Sequence, residues 1–418
     1  MPQWLQTVVS SSWFWAALAL LVGYSLTLFG IPIYTWWERR GAGLIQLRPG
    51  PNRRGPYGLV QAIADAVKLA VKEDVVPQGA DRFLHALAPV LVMTVALTTF
   101  AIIPWSGDFE LFGRTVRLQV ADLNVGILFV MAVSSLAVHG IALAGWSSNN
   151  KYSLLGALRS AAQMFSYELS LGLALVAVVL ATGAVSIHQM VADQIGPIWR
   201  WGVFQAPVAF IIFISAAYAE ANRVPFDLVE ADSEIVAGYH TEYSALRFGL
   251  FYMAEYVHMA VSAALTALLF FGGWHIPWIE EIVGPRAYAK LFPWFMLGGA
   301  LFCLFLAWDV RRPVRKRFTR GNDLMAVLCV MAAAAMVALA AVVWRFDFDW
   351  LQTLAAMGGQ VVVLVVKFLF FFWLFIWVRW TLPRFRYDQL MRLGWKVLLP
   401  LGLANVAVTA LLVVAGWL

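Results

Sequence analysis

Residues 358–378, GGQVVVLVVKFLFFFWLFIWV, carry one charged side chain, Lys367, in an otherwise apolar run. An α-helix needs about 20 apolar residues to cross the hydrocarbon core of a bilayer, and this stretch has that length. Working outward from it, further windows of the same kind fall near 13–35, 83–104, 122–145, 167–189, 203–221, 249–271, 292–308, 324–344 and 397–416, the window at 292–308 being short. The composition agrees, with 62% hydrophobic residues, 13% charged residues and 20 Trp in 418 positions. Mean hydropathy is +0.76. A soluble domain of this make-up would expose large apolar surface to water. The chain therefore reads as an all-α polytopic membrane protein with about ten transmembrane helices. No stretch between the windows is long enough for a separate folded unit, so residues 1–418 read as a single membrane domain.

Lysine and arginine test the assignment independently. Loops counted as odd from the first span hold 23 of the 30 basic residues, even loops hold 6, and the remaining one is Lys367. By the positive-inside rule, that alternation predicts both termini on the outer side. The first basic residue is Arg39, so the first apolar window lacks the basic leader of a signal peptide and is expected to be retained as a span. Cys303 and Cys329 lie in apolar segments and the six His show no ligand spacing, so neither a disulfide framework, an iron–sulfur cluster nor a metal site is expected. His240 and His258 lie near acidic residues; a proton role is open to them, as is ordinary packing.

The acids are concentrated in one inside loop, PFDLVEADSEIVAGYHTEY (225–243). Between Glu220 and Glu255 the chain places Glu220, Asp227, Glu230, Asp232, Glu234, Glu242 and Glu255 against two arginines, Arg223 and Arg247. Pro225 suits a first helical turn and Gly238 a helix end, which predicts Asp227, Glu230 and Glu234 on one helical face. Two carboxylates about 6 Å apart repel by roughly 3 kcal/mol at an effective dielectric near 20, so these acids are not expected to ionise together. The acids alternate with Phe226, Leu228, Val229, Ile235 and Val236, as in a half-buried segment; a solvated acidic loop is the plainer alternative. Glu168 at the head of its window, Glu220 at the foot of its own, Glu255 and Lys367 add ionisable groups at membrane depth. Each costs about 2.5–3.5 kcal/mol on insertion scales when central, so function is the first expectation for them. Together the acids read as a chain from the inside loop into the bilayer, the arrangement a proton relay needs.

The first inside loop, WWERRGAGLIQLRPGPNRRGPYG (36–58), is shaped by Pro49, Pro51 and Pro56 and holds five arginines. It suits either an anchor on lipid phosphates or a structured site. The following stretch, 59–74, sets Ile63, Val67, Ala70 and Val71 on one face and Gln61, Asp65, Lys68 and Lys72 on the other. Such a helix lies in the interface plane, floating on lipid or forming the lip of a site for an amphipathic ligand.

Four stretches, WERRGAGLIQLRPGPNRRGPYGLVQAIADAVKLAVKED (37–74), GWSSNNKYSLLGALRSAAQMFSYELSLGLAL (145–175), NRVPFDLVEADSEIVAGYHTEYSALRFGLFYMAEY (222–256) and RWTLPRFRYDQLMRLGWKVLLPL (379–401), resemble the H subunit of bacterial NADH:quinone oxidoreductase, respiratory complex I. The resemblance covers about 1–275 and 358–418. It implies an eight-span subunit in the bacterial inner membrane that builds much of the quinone chamber and starts the proton path of a proton-pumping enzyme. Glu38, Arg39, Asp65 and Val67, with the interfacial helix, would line the chamber. Glu168, Glu220, Asp227, Glu230, Asp232, Glu234, Glu242, Glu255 and Lys367 would serve the proton path. Quinone is the implied substrate, and no cofactor is expected on this chain, whose redox centres and quinone headgroup ligands would lie on other subunits. The implied partners are those soluble-arm subunits, neighbouring membrane subunits and lipid, with no nucleic acid. Asp232 departs from the family, where many members carry Glu. Residues 276–357 exceed the usual connection and read as an inserted segment with two extra spans flanking the basic run RRPVRKRFTR (311–320). Two other classes compete: the membrane anchor of an energy-conserving hydrogenase, and a stand-alone secondary transporter. The complete RPGPNRRGPYG loop favours the first reading over the former, and the lack of clear internal repeats weighs against the latter.

Overall fold

The computed structural model describes residues 12–25, 28, 30–52, 56–111, 114–227, 236–283, 286–311 and 322–417. The fold is all-α and polytopic. Helices α1 (Ser12–Tyr24) and α2 (Gly30–Ile45) share the first expected span, and α3 (Val60–Val71) is the helix expected to lie in the interface plane. Then follow α4 (Arg82–Phe100), α5 (Gly126–Ser147), α6 (Lys151–Thr182), α7 (Pro207–Glu220), α8 (Ala245–Phe270), α9 (Ala287–Val310), α10 (Asn322–Arg345), α11 (Asp349–Thr381) and α12 (Tyr387–Val414). Eight of the described helices, α4, α5, α6 and α8 to α12, are long and apolar enough to cross a membrane. Of the other two expected spans, α7 has 14 residues, and the first includes residues outside the described ones between α1 and α2.

Two helices, α6 and α11, are much longer than their apolar windows, with 32 and 33 residues. The α6 helix starts at Lys151, capped by the Asn150 side chain accepting from the Tyr152 amide, so Glu168 lies in mid-helix and not at the head of a span. Polar residues such as Ser153, Ser160 and Gln163 are wholly buried there against other helices, which is why hydropathy alone places the start too late. Between α4 and α5 a two-stranded hairpin, β1 (Phe109–Leu111) with β2 (Arg114–Val116), adds a small sheet that the apolar windows do not register.

Helix α8 is the hub. It is 89% buried over its apolar window, against 17–50% for the other candidate spans, and it packs on α4 and α11. Helices α9 and α10 pack on each other and on α11 at the side of the bundle, leaving large side chains such as Leu301, Phe302 and Trp308 exposed. That surface suits lipid. The basic run between them lies outside the described residues except for Arg311, which follows α9. With Cys303 and Cys329 replaced by Ala, a cysteine from Arg311→Cys is expected to react with an impermeant maleimide from the inner side of the membrane. One from Asp347→Cys, just after α10, is expected to react from the outer side. The opposite pattern would overturn the assigned orientation.

Candidate functional site

Helix α2 turns Tyr34, Glu38 and Gly41 toward α11, a spacing of four and three that keeps them on one face. Tyr34 meets Phe372 at 4.3 Å between ring centroids, and Trp37 stacks on Trp373 at 5.4 Å. At Gly41 any side chain would run into the Trp373 ring, so the helices close up there. This aromatic contact sets Glu38 against Arg379 near the end of α11, and the two form an ion pair.

Glu38 is one corner of a buried charge cluster. Tyr256 of α8 donates a 2.5 Å hydrogen bond to its other oxygen, and the Tyr252 hydroxyl lies 3.0 Å from that of Tyr256. Arg223, in the loop after α7, lies 3.8 Å from Glu38 and 3.6 Å from Glu255, with its guanidinium 4.4 Å from the Tyr256 ring centroid. Glu38, Arg223 and Glu255 are 5%, 2% and 6% exposed, so two acids and one arginine lie almost out of solvent, with Arg379 half-buried at their edge. Burial alone would lower the Arg223 pKa, but the facing phenol and carboxylates raise it well above the usual arginine range. Its separations from the acids exceed a direct hydrogen bond. Arg223 therefore neutralises both carboxylates without fixing either.

The remaining expected residues divide into separate places. Arg39 and Asp65 form a 2.5 Å ion pair that ties α3 to α2, with Gln61 donating to the same carboxylate at 3.0 Å. The face of α3 carrying Ile63, Val67 and Val71 points away from the bundle and is exposed, while Ala62 is buried. Asp227 is buried and paired with Arg384 at 3.1 Å. No helix includes it: Pro225 lies in a turn and Gly238 opens a 3₁₀ turn, so the helical face expected to hold Asp227 is not formed around that residue. Glu230, Asp232 and Glu234 lie outside the described residues. Glu242 accepts a 2.5 Å hydrogen bond from Asn150. His240 is buried beside it, and burial pushes its imidazole down to about 3, so it stays neutral.

Glu220, at the end of α7, lines an enclosed cavity of about 20 Å³ with Ser134, His258 and Ser262. Glu168 lines a wider apolar groove between α5, α6 and α12 with Phe165, Leu169 and Trp395. Lys367 is apart from all of these. Its ammonium donates to the carbonyls of Phe271 and His275, both at 2.6 Å, and lies 4.7 Å from the Trp201 ring. Phe271 follows Glu255 by sixteen residues, so at 1.5 Å per residue the lysine sits about 24 Å along α8 from the charge cluster. Lys367 thus stands apart from the Glu38 cluster. The described His, Cys, Asp and Glu offer no group of three that could hold a metal ion.

Residues 17–410 match the family described as NADH dehydrogenase. The chain belongs to that family. It is 42% identical over 396 residues to an NADH-quinone oxidoreductase H subunit of Solibacter usitatus, covering 92% of this chain and 94% of the relative. It is 41% identical over 420 residues to the NADH-quinone oxidoreductase H subunit of Bdellovibrio bacteriovorus, covering 95% of each. It is 42% identical over 400 residues to NADH-quinone oxidoreductase subunit 8 of Rhodothermus marinus, covering 95% of this chain and 97% of the relative.

Arg379, Arg384, Tyr252 and Tyr256 are the site residues that spacing did not single out. The tyrosines flank Glu255 on the same helix at a spacing of four, a signal that was present. The arginines look like ordinary basic residues at the end of a span. Because removing one member of a buried ion pair costs about 3–5 kcal/mol, Arg223→Met is expected to destabilise the assembled protein severely. Arg223→Met combined with Glu255→Gln, which removes the stranded charge, is expected to recover part of the loss. The thermal midpoint in detergent, read against the Glu255→Gln single variant, checks both.

Proposed function

We propose that this chain is the H subunit of a proton-pumping NADH:quinone oxidoreductase in a bacterial inner membrane. Quinone is its substrate, both termini lie outside, and the redox centres and headgroup ligands are on partner subunits. The observation that carries the reading is the cluster of Glu38, Arg223, Glu255 and Arg379, which gathers α2, α8, the end of α11 and the loop after α7.

In this reading α3 and the Arg39–Asp65 pair frame the mouth of the chamber, and the exposed face of Ile63, Val67 and Val71 guides the isoprenoid tail. Glu38 and Arg39 line the way in. Charge appearing on the quinone as it is reduced changes the field at a cluster with no solvent to screen it, so the carboxylates respond by taking up or releasing protons. Glu255, which Arg223 faces at a distance longer than a hydrogen bond, is the member placed to do so. Glu220 and Glu168 carry the proton onward toward neighbouring membrane subunits. Asp227, Glu230, Asp232, Glu234 and Glu242 belong to the inside loop that supplies protons, with Asp227 held by Arg384. Lys367, fixed by two backbone carbonyls, offers a separate positive charge near the outer end of the path. The helix pair α9 and α10, within 276–357, is an inserted lateral element facing lipid or an accessory subunit.

Glu255→Gln is expected to lower quinone reduction and proton pumping together by roughly tenfold or more, the scale at which a positioned proton carrier acts. Electron transfer from NADH to an artificial acceptor upstream of quinone should stay normal. Native gels and copurification with flavin- and iron–sulfur-bearing subunits serve as the assembly control. Normal quinone reduction and pumping in assembled Glu255→Gln enzyme would overturn the role of the cluster, and copurification with a nickel hydrogenase would overturn the enzyme assignment. Separately, Val67→Gln is expected to raise the KM for a long-tailed quinone more than for a short-tailed analogue. An equal change for both would remove α3 from the entry route.

A further inference from the structure

We propose that His258 relays protons between Glu255 and Glu220, an inference that rests on the reading of those two acids as proton carriers. On α8 the residues Glu255, His258, Ser262 and Leu265 follow at spacings of three, four and three, so they occupy one face. That face runs from the buried charge cluster directly to the cavity that His258, Ser262 and Leu265 line. Glu220 and Ser134 line the same cavity from α7 and α5. His258 is thus the titratable side chain with a place on both sides: one turn from Glu255, and at the wall of the space that holds Glu220.

Two further observations point to a ligand in that space. His258 is 8% exposed, and its Nε2 has no hydrogen-bond partner among the described residues. A histidine kept for packing would be expected to satisfy that nitrogen, because a buried polar atom without a partner costs free energy. The cavity of about 20 Å³ has room for about one water molecule. Glu220, His258, Ser134 and Ser262 stand among lining residues that are otherwise mostly apolar, and they can supply the roughly three polar partners that a buried water takes.

The transfer is balanced without any electron change. A proton leaving the Glu255 carboxyl adds to one ring nitrogen of His258, the proton on the other nitrogen passes to the water, and the water gives one of its own to the Glu220 carboxylate. The ring is left as its other tautomer and resets before the next transfer. Arg223, 3.6 Å from Glu255, favours the step by stabilising the carboxylate left behind.

The test uses the whole complex reconstituted in vesicles, with His258→Gln, His258→Leu and Glu220→Gln. His258→Gln keeps a polar, similarly sized side chain but cannot pass a proton through a ring. It is expected to assemble and to lose pumping by roughly tenfold or more, as Glu220→Gln does. Redox-induced infrared difference spectra add a readout that packing would not move: the band assigned to the protonated Glu220 carboxyl, by its loss in Glu220→Gln, should shift to higher frequency in His258→Leu as the bridging water is displaced. Normal pumping in assembled His258→Gln, with pumping lost in Glu220→Gln, would overturn the relay while leaving the acid path standing. Normal pumping in Glu220→Gln would instead overturn the acid path, and with it this inference. An unshifted carboxyl band in His258→Leu would show that no water joins the two residues.

Discussion

Two carboxylates and a guanidinium buried within one bundle, with a second guanidinium half-buried beside them, impose the constraint that organises this protein. Charge taken out of water is tolerable only when it is paired, and each member of the Glu38, Arg223, Glu255, Arg379 group comes from a different segment of the chain. Satisfying it requires α2, α8, the end of α11 and the loop after α7 to meet at one level. The aromatic contacts of Tyr34 and Trp37 with Phe372 and Trp373 hold two of those segments in register. Helix α8, buried more completely than its neighbours, supplies the third and carries the same face on into the membrane.

Hydropathy made the spans legible because a helix in lipid has to be apolar over a fixed length. It placed α11 with its lysine, and periodicity placed the helix at Val60–Val71. It misjudged where α6 begins, since Ser153, Ser160 and Gln163 are hidden by other helices and not by lipid. The partners of the acids were beyond its reach for another reason. Glu38 and Arg379 are 341 positions apart and Asp227 and Arg384 are 157 apart, so nothing local connects them. The β-hairpin was missed because three residues per strand give too little alternation to read.

Mutual repulsion is the natural expectation for carboxylates so close in the chain, and three of the described ones have partners of their own: Asp227 an arginine, Glu242 an asparagine, Glu255 an arginine shared with Glu38. Lys367 is the counterpart among cations. Insertion of a lysine into an apolar span is tolerated here through main-chain carbonyls and an indole face, so no acid has to accompany it.

The lateral pair of α9 and α10 bears on how such a chain can change in length. Two of the arginines that neutralise buried acids, Arg379 and Arg384, come after that pair. Gaining or losing one crossing ahead of them would carry them to the opposite side of the bilayer and leave Glu38 and Asp227 without their partners. Two crossings return the chain to the side it left. Helices can therefore be added to or removed from this edge in pairs, as a hairpin, while the ion pairs at the centre forbid any odd step.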